Sequence, residues 1–122
     1  MTRRNEKTSL VLVVEDQALV RVCTAALLEE AGCGVIEASD AEEALRKFET
    51  NAMVTTVFTD INMPGPFNGL SLAHKVLRLR PQVQLILTSG RGSPLEAEMP
   101  AGGYFLPKPY DAYQLTALIR AA

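Results

Sequence analysis

Tryptophan is absent from this chain, histidine occurs once, cysteine twice, and aromatic residues make up only 6% of it. Cys23 and Cys33 are far from any C-x-x-C spacing, so neither a zinc knuckle nor a disulfide framework organises the fold, and reduced thiols are the default. Cys23 reads as packed on a helix face and Cys33 as part of a turn. A dominant charge is also lacking. The 12 Lys+Arg against 14 Asp+Glu leave a formal net charge of −2, with no basic stripe of the kind that neutralises phosphate backbones, so direct nucleic-acid binding is not expected. Long hydrophobic runs are missing too. The first apolar run ends at Val14, where Glu15-Asp16 interrupts it, too early for a signal peptide's apolar region or a bilayer span. No membrane insertion is expected, and the location predicted is cytoplasmic. No internal repeat or low-complexity segment is visible. What remains is 122 residues with 48% hydrophobic and 21% charged side chains, the profile of one globular domain over 1–122 with a flexible N-terminus at 1–8.

Taken in order, the chain alternates strand and helix patterns. Ser9 to Val14 is a continuous apolar strand that ends in acids. From Gln17 to Ala31 the residues Leu19, Val22, Cys23, Ala26, Leu27 and Ala31 recur at helical spacing, and Gly32 closes that helix. Gly34 to Ala38 is a second strand. Ser39-Asp40-Ala41-Glu42 reads as a capping box opening a helix to about Thr50, with Ala41, Leu45 and Phe48 inward. Met53 to Phe58 has the β-branched and aromatic content of a buried third strand, which ends at Asp60 and breaks at Pro64-Gly65. Asn68-Gly69-Leu70 opens a third helix that stops before Pro81, with Leu70, Ala73, Val76 and Leu77 inward. Gln84 to Thr88 is a fourth strand. The stretch from Arg91 to Gly103 is rich in breakers and leaves room only for a short helix around Leu95 to Met99. Tyr104 to Leu106 is a brief fifth strand, and a last helix runs from about Asp111 to Arg120. This alternation predicts an α/β fold, a doubly wound five-stranded parallel sheet with right-handed crossovers and a short or irregular fourth helix.

Parallel strands place all their carboxyl ends on one rim, so Glu15-Asp16, Asp60, Thr88-Ser89 and Lys108 converge there. Three carboxylates without histidine or cysteine offer hard oxygen ligands that suit Mg²⁺ (or Mn²⁺) better than zinc or copper. Like charges a few ångströms apart raise one another's pKa, so such a cluster favours a bound cation. A lysine and a hydroxyl on the opposite lip are what a phosphoryl group requires. Asp60, at the centre, is then the candidate nucleophile that accepts it.

With those residues in line, the chain resembles the receiver domain of two-component response regulators, of the stand-alone, chemotaxis-receiver-like kind, from Leu10 to about Arg120. The carriers are Glu15-Asp16, Thr59-Asp60-Ile61-Asn62-Met63-Pro64-Gly65, Asn68-Gly69-Leu70, Thr88-Ser89-Gly90 and Lys108-Pro109-Tyr110. The resemblance implies a flavodoxin-like strand order of 2-1-3-4-5. It implies that Asp60 is the phosphoacceptor, and that Asp16, Asp60 and the Asn62 backbone carbonyl bind Mg²⁺ directly, with Glu15 acting through a water. Lys108 would pair with the phosphoryl oxygen or, before phosphorylation, with Asp60. Thr88 would be the switch hydroxyl, helped by the Ser89 and Asn62 amides. Phe105 would occupy the aromatic switch position, and Lys108-Pro109 would be cis. The implied partners are a histidine kinase or histidine phosphotransfer protein and a downstream protein target. The chain is not expected to be an enzyme beyond Mg-dependent self-phosphorylation and self-dephosphorylation.

Departures from the family pattern are also visible. The step from Asp60 to Gly69 is longer than usual, with the insertion in Gly65-Pro66-Phe67-Asn68, and the breakers after Arg91 put a regular fourth helix in doubt. The chain ends with its last helix, so output is expected through protein contact or phosphorelay. His74 has no partner acid or nucleophile at catalytic spacing and reads as a surface side chain. Arg78 and Arg80 read as charges complementing a helix C-terminus. Tyr110 and Tyr113 fit either a partner face or the packing of the last helix. Two other functions compete: a degenerate receiver acting as a phosphorylation-independent adaptor, and a haloacid-dehalogenase-type phosphatase. The latter needs an acid two residues after its nucleophile, where this chain has Asn62.

Overall fold

The computed structural model describes residues 9–65 and 67–121, so the stretch at 1–8 expected to be flexible and Pro66 of the expected insertion lie outside the described residues. β1 (Leu10–Val14) is apolar throughout because both of its faces are covered. Leu12 and Val14 face one core and Val11 and Val13 the other, the period-2 alternation of a pleated strand. The elements that follow are α1 (Ala18–Glu30), β2 (Gly34–Ala38), α2 (Ala41–Thr50), β3 (Thr56–Asp60), α3 (Gly69–Leu79), β4 (Gln84–Ser89), β5 (Tyr104–Pro107) and α4 (Ala112–Ala121). The sheet is parallel with order β2-β1-β3-β4-β5, as expected. Between β4 and β5 the only helical piece among the described residues is a 3-10 turn, Glu96–Glu98, so the breaker-rich stretch does lack a regular helix.

On one side of the sheet, Leu12, Val57, Leu85 and Leu87 pack against Phe48 of α2 and Leu72 and Val76 of α3. On the other side, Val11, Phe58 and Ile86 pack against Leu28 of α1 and Leu115 and Ile119 of α4. At about 25 cal/mol per Å² of apolar surface removed from water, these two layers are the main stabilising contribution. Arg80 joins neighbouring elements on the first side. Its guanidinium carbon sits 3.8 Å from the centre of the Phe48 ring, and it donates to the Phe48 and Asn51 carbonyls at 2.5 and 3.2 Å. It therefore closes the C-terminal end of α2 from α3.

Several local expectations need correction. The buried face of α1 is Thr24, Ala25 and Leu28, while Leu19, Val22, Cys23 and Leu27 are exposed. Helix α1 carries apolar residues on two faces, so periodicity did not single out the buried one. Thr24 can be inside because its hydroxyl shares a 3.3 Å hydrogen bond with the Tyr110 hydroxyl. Cys33 is half-buried against the second layer. The third strand begins at Thr56, not Met53: residues 51–54 turn the chain out of α2 through Val54 N–H to the Asn51 carbonyl, leaving Met53 exposed. The cap of α2 lies one residue further along than expected. Asp40 accepts from the Glu43 N–H at 2.7 Å, and the Glu43 carboxylate accepts from the Ser39 N–H and hydroxyl at 2.8 and 2.9 Å. Helices α3 and α4 are capped as their sequences suggest. Asn68 Oδ1 accepts from the Leu70 and Ser71 N–H groups, and Asp111 Oδ1 accepts from the Gln114 N–H.

Candidate functional site

Strand order and register bring the rim together. Asp60, the last residue of β3, is the register partner of Thr88 in β4, and β1 lies on the other side of β3. Beyond β1, the Glu15 N–H donates to the Ala38 carbonyl, and beyond β5, the Lys108 N–H donates to the Ser89 carbonyl, so both residues stay aligned with the sheet past the strand ends. The Lys108-Pro109 bond is cis.

Carboxylate oxygens of Glu15, Asp16 and Asp60 lie within 4.8 Å of one another. Glu15 and Asp60 are buried and Asp16 is exposed. Lys108 Nζ is 2.8 Å from Asp60 Oδ2 and 3.2 Å from Glu15 Oε1, so one ammonium serves two buried acids. The other oxygens are also engaged: Asp60 Oδ1 accepts from the Asn62 N–H at 2.8 Å, and Glu15 Oε2 from the Gln17 N–H at 3.1 Å. Burial pushes the Glu15 carboxyl above its ordinary range, and the neighbouring Asp60 charge adds to this, against the opposing pull of the Gln17 N–H and Lys108. Burial on its own would lower the Lys108 pKa, but its hydrogen bonds and charge contacts with Asp60 and Glu15 outweigh that and raise it.

The rim opens into a cavity of about 680 Å³ lined by Asp16, Asp60, Asn62, Asn68, Arg91 and Lys108, among others. Oxygen donors alone face it from the acids, a set suited to a hard divalent cation. The Thr88 hydroxyl is buried with no hydrogen-bond partner among the described residues, one strand from Asp60. A buried donor without a partner costs about 1–3 kcal/mol, so it is suited to receiving an acceptor that arrives at this rim.

Sequence reasoning placed Glu15, Asp16, Asp60, Thr88, Ser89 and Lys108 on one rim, and the structure brings them there. Phe105 is half-buried against the first core layer beside β4. Other contacts were not foreseen. The Ser89 hydroxyl accepts from the Asn62 side-chain amide at 2.5 Å and from the Arg91 N–H at 3.0 Å, tying the β3 and β4 loops together. Gly69 lies directly behind Asp60: a Cβ on it would run into the Asp60 carbonyl. The loop expected to carry an insertion is anchored as well, with Gly65 at φ 114° and the Phe67 ring packed on the first core layer and 5.8 Å from the Lys75 ammonium. His74, exposed on α3, pairs through Nε2 with the Glu98 carbonyl at 2.8 Å and stays away from the rim.

An open parallel α/β sheet with an acidic pocket at the carboxyl ends of its central strands is an architecture compatible with a phosphoryl-accepting switch domain. Residues 11–120 match the family described as the response regulator receiver domain, and the chain belongs to that family. It is 32% identical over 118 residues to the aerobic respiration control protein ArcA of Escherichia coli (strain K12), covering 93% of this chain and 48% of ArcA. It is 35% identical over 115 residues to the transcriptional regulatory protein CpxR of the same strain, covering 91% of this chain and 47% of CpxR. The chain thus spans about half the length of these relatives. Among solved structures, a response regulator receiver domain protein from Clostridium thermocellum superposes with a TM-score of 0.84 at 28% identity, covering 93% of this chain and 92% of that one. The receiver domain of the hybrid histidine kinase CckA gives 0.79 at 32% identity, covering 93% and 97%. This chain is therefore a receiver domain of the two-component type, a phosphoryl-accepting switch whose acidic pocket fits the phosphoacceptor site. No helix among the described residues is long and apolar enough to cross a membrane.

Proposed function

We propose that Asp60 accepts a phosphoryl group from a phosphohistidine on a histidine kinase or histidine phosphotransfer protein. A carboxylate oxygen of Asp60 attacks phosphorus, the P–N bond to the donor imidazole breaks, and an acyl phosphate forms on Asp60. The observation that carries this reading is the buried Asp60 carboxylate held 2.8 Å from the Lys108 ammonium, with Thr88, whose buried hydroxyl has no partner among the described residues, as its register neighbour on β4. Asp16, Asp60 and the Asn62 carbonyl would hold Mg²⁺ or Mn²⁺, with Glu15 joining through a water. When bound, that cation supplies neutralisation of the charge on the phosphoryl oxygens. Lys108 exchanges its Asp60 partner for a phosphoryl oxygen, the Thr88 hydroxyl donates to another, and the Ser89 and Asn62 N–H groups assist. Movement of Thr88 opens space for the Phe105 ring to turn inward, and the surface made by the 91–103 stretch, β5 and α4 changes for a downstream protein target. A cytoplasmic location belongs to the same proposal. Named relatives include a transcriptional regulatory protein, yet the near-neutral charge of this chain supports protein contact, and not nucleic acid, as its own mode of binding.

The test is labelling with acetyl phosphate and Mg²⁺, read by intact mass and a phosphate-affinity gel. The wild type gains one phosphoryl group and Asp60→Asn gains none; equal labelling of the variant would move the acceptor elsewhere. Beryllofluoride with Mg²⁺ separates the switch from a phosphorylation-independent adaptor, because only the switch changes its amide chemical shifts.

A further inference from the structure

We infer that Arg21, outside the rim, is a positioning residue that sets the geometry of the cation pocket by holding the peptide between Glu15 and Asp16. The inference rests on the proposed role of Glu15, Asp16 and Asp60 as that pocket.

Arg21 lies on α1 with its side chain only 19% exposed. Its Nη1 donates to the Glu15 carbonyl at 2.9 Å, and its Nε to Glu37 Oε1 at 3.2 Å. The planar guanidinium makes both bonds from one rigid group, so Glu37 on β2 fixes the angle at which Arg21 meets the loop. Glu37 is itself held, because its carbonyl accepts from Lys47 Nζ on α2 at 2.6 Å. A chain of contacts thus runs from α2 through β2 and α1 into the loop that carries both acids.

The two acids depend on it differently. Glu15 is also fixed by its own N–H to Ala38, by Gln17 and by Lys108. Asp16 is exposed, and among the described residues nothing holds its carboxylate through a hydrogen bond or ion pair. What the fold fixes for it is the direction in which its Cα–Cβ bond leaves the backbone. The Glu15 carbonyl belongs to the same rigid peptide plane as the Asp16 nitrogen, so the Arg21 bond restrains the orientation from which the Asp16 side chain departs. Outer contacts that orient metal-binding groups typically matter 10–100-fold in metal affinity.

Charge and positioning make opposite claims about Arg21. If the residue acted on the pocket only as a nearby positive charge, removing it would tighten cation binding. If it positions Asp16, removing it weakens binding. The experiment is calorimetric Mg²⁺ titration, with Mn²⁺ titration by electron paramagnetic resonance as a second readout that needs no phosphorylation. For Arg21→Ala, verified as folded by its amide spectrum, the dissociation constant for Mg²⁺ is expected to rise about 10-fold. Arg21→Lys keeps the charge but cannot form both bonds from one rigid plane, and is expected to fall between Arg21→Ala and wild type. In acetyl phosphate labelling, the Mg²⁺ concentration for half-maximal rate rises in parallel while the rate at saturating Mg²⁺ stays within about twofold. Unchanged or tighter binding in Arg21→Ala or, should that variant not fold, in Arg21→Lys overturns the inference. Absence of Mg²⁺ binding by the wild type would overturn the cation pocket itself, a distinct result.

Discussion

Lys108 Nζ lies 2.8 Å from Asp60 Oδ2, across 48 positions of chain, and the same ammonium reaches Glu15 at 3.2 Å. Lys108→Met leaves two buried carboxylates facing each other with Asp16 beside them. Breaking a fully buried pair costs about 3–5 kcal/mol, and because the Lys108 side chain keeps 25% exposure the expected loss is roughly 1–3 kcal/mol. Millimolar Mg²⁺ should recover part of it by replacing the missing cation. Urea denaturation with and without Mg²⁺ measures both effects; equal stability of variant and wild type would show that the contact makes no net contribution.

The alkaline pH dependence follows from the same contact. Asp60 and Glu15 hold the Lys108 ammonium above its ordinary value of 10.5 despite the opposing effect of burial. A group whose folded pKa is raised contributes stability that is fully present below the unfolded value and is lost as pH rises through the folded one. The stability difference between wild type and Lys108→Met should therefore be flat through neutral pH and shrink only above pH 10.5. Paired denaturation curves across that range provide the check, since other alkaline titrations affect both proteins.

Acid should act at α2. The Ser39 N–H, the Lys47 ammonium and the Ser39 hydroxyl together hold the Glu43 carboxyl down at about 2. Its contribution is present above the ordinary value of 4.5 and disappears as pH falls toward 2. Glu43→Gln is expected to cost roughly 1 kcal/mol at neutral pH, the usual size of a capping interaction, with the difference from wild type closing in acid. Thermal melts of the pair at several pH values decide it.

Thr88→Val removes a buried hydroxyl that has no partner among the described residues, while keeping the shape of the side chain. The unphosphorylated protein should gain about 1 kcal/mol. Its amide shifts in 91–103 should respond less to beryllofluoride and Mg²⁺ than those of the wild type. A destabilised Val variant would mean that the hydroxyl is satisfied in solution.

Gly69→Ala drives a methyl group into the Asp60 carbonyl and is expected to cost roughly 2–3 kcal/mol, the upper part of the range for overpacking. Gly90→Ala is the contrast, since the nearest atom to its Cβ is a Lys108 side-chain carbon at 3.8 Å, and it should stay within about 0.5 kcal/mol of wild type. Denaturation midpoints for both variants test whether close approach, and not glycine flexibility, sets the requirement at Gly69.

Much of the rim was legible because its logic is local. An apolar β1 ending in Glu15-Asp16, an acid closing β3, a hydroxyl closing β4 and a lysine after β5 each mark a strand end, and parallel strands with crossovers put those ends on one side. Other features were not legible for the corresponding reason. Helix α1 has two apolar faces, and only packing against Phe58, Leu115 and Ile119 decides that Leu28 goes inside and Leu19 outside. Met53 has strand propensity, but the chain needs those residues to turn out of α2 before β3 can pair with β1.

By itself, then, the sequence determined where each strand ends to within one residue, because propensity, caps and breakers act within a few positions of the chain. Tertiary structure decided the Arg21 bond to Glu15, the Asn62 bond to Ser89 and the closeness of Gly69 to Asp60. The first and third depend on how a helix docks at a strand end, and the second on the register of β3 against β4. Docking and register are fixed by long-range packing that no local pattern encodes.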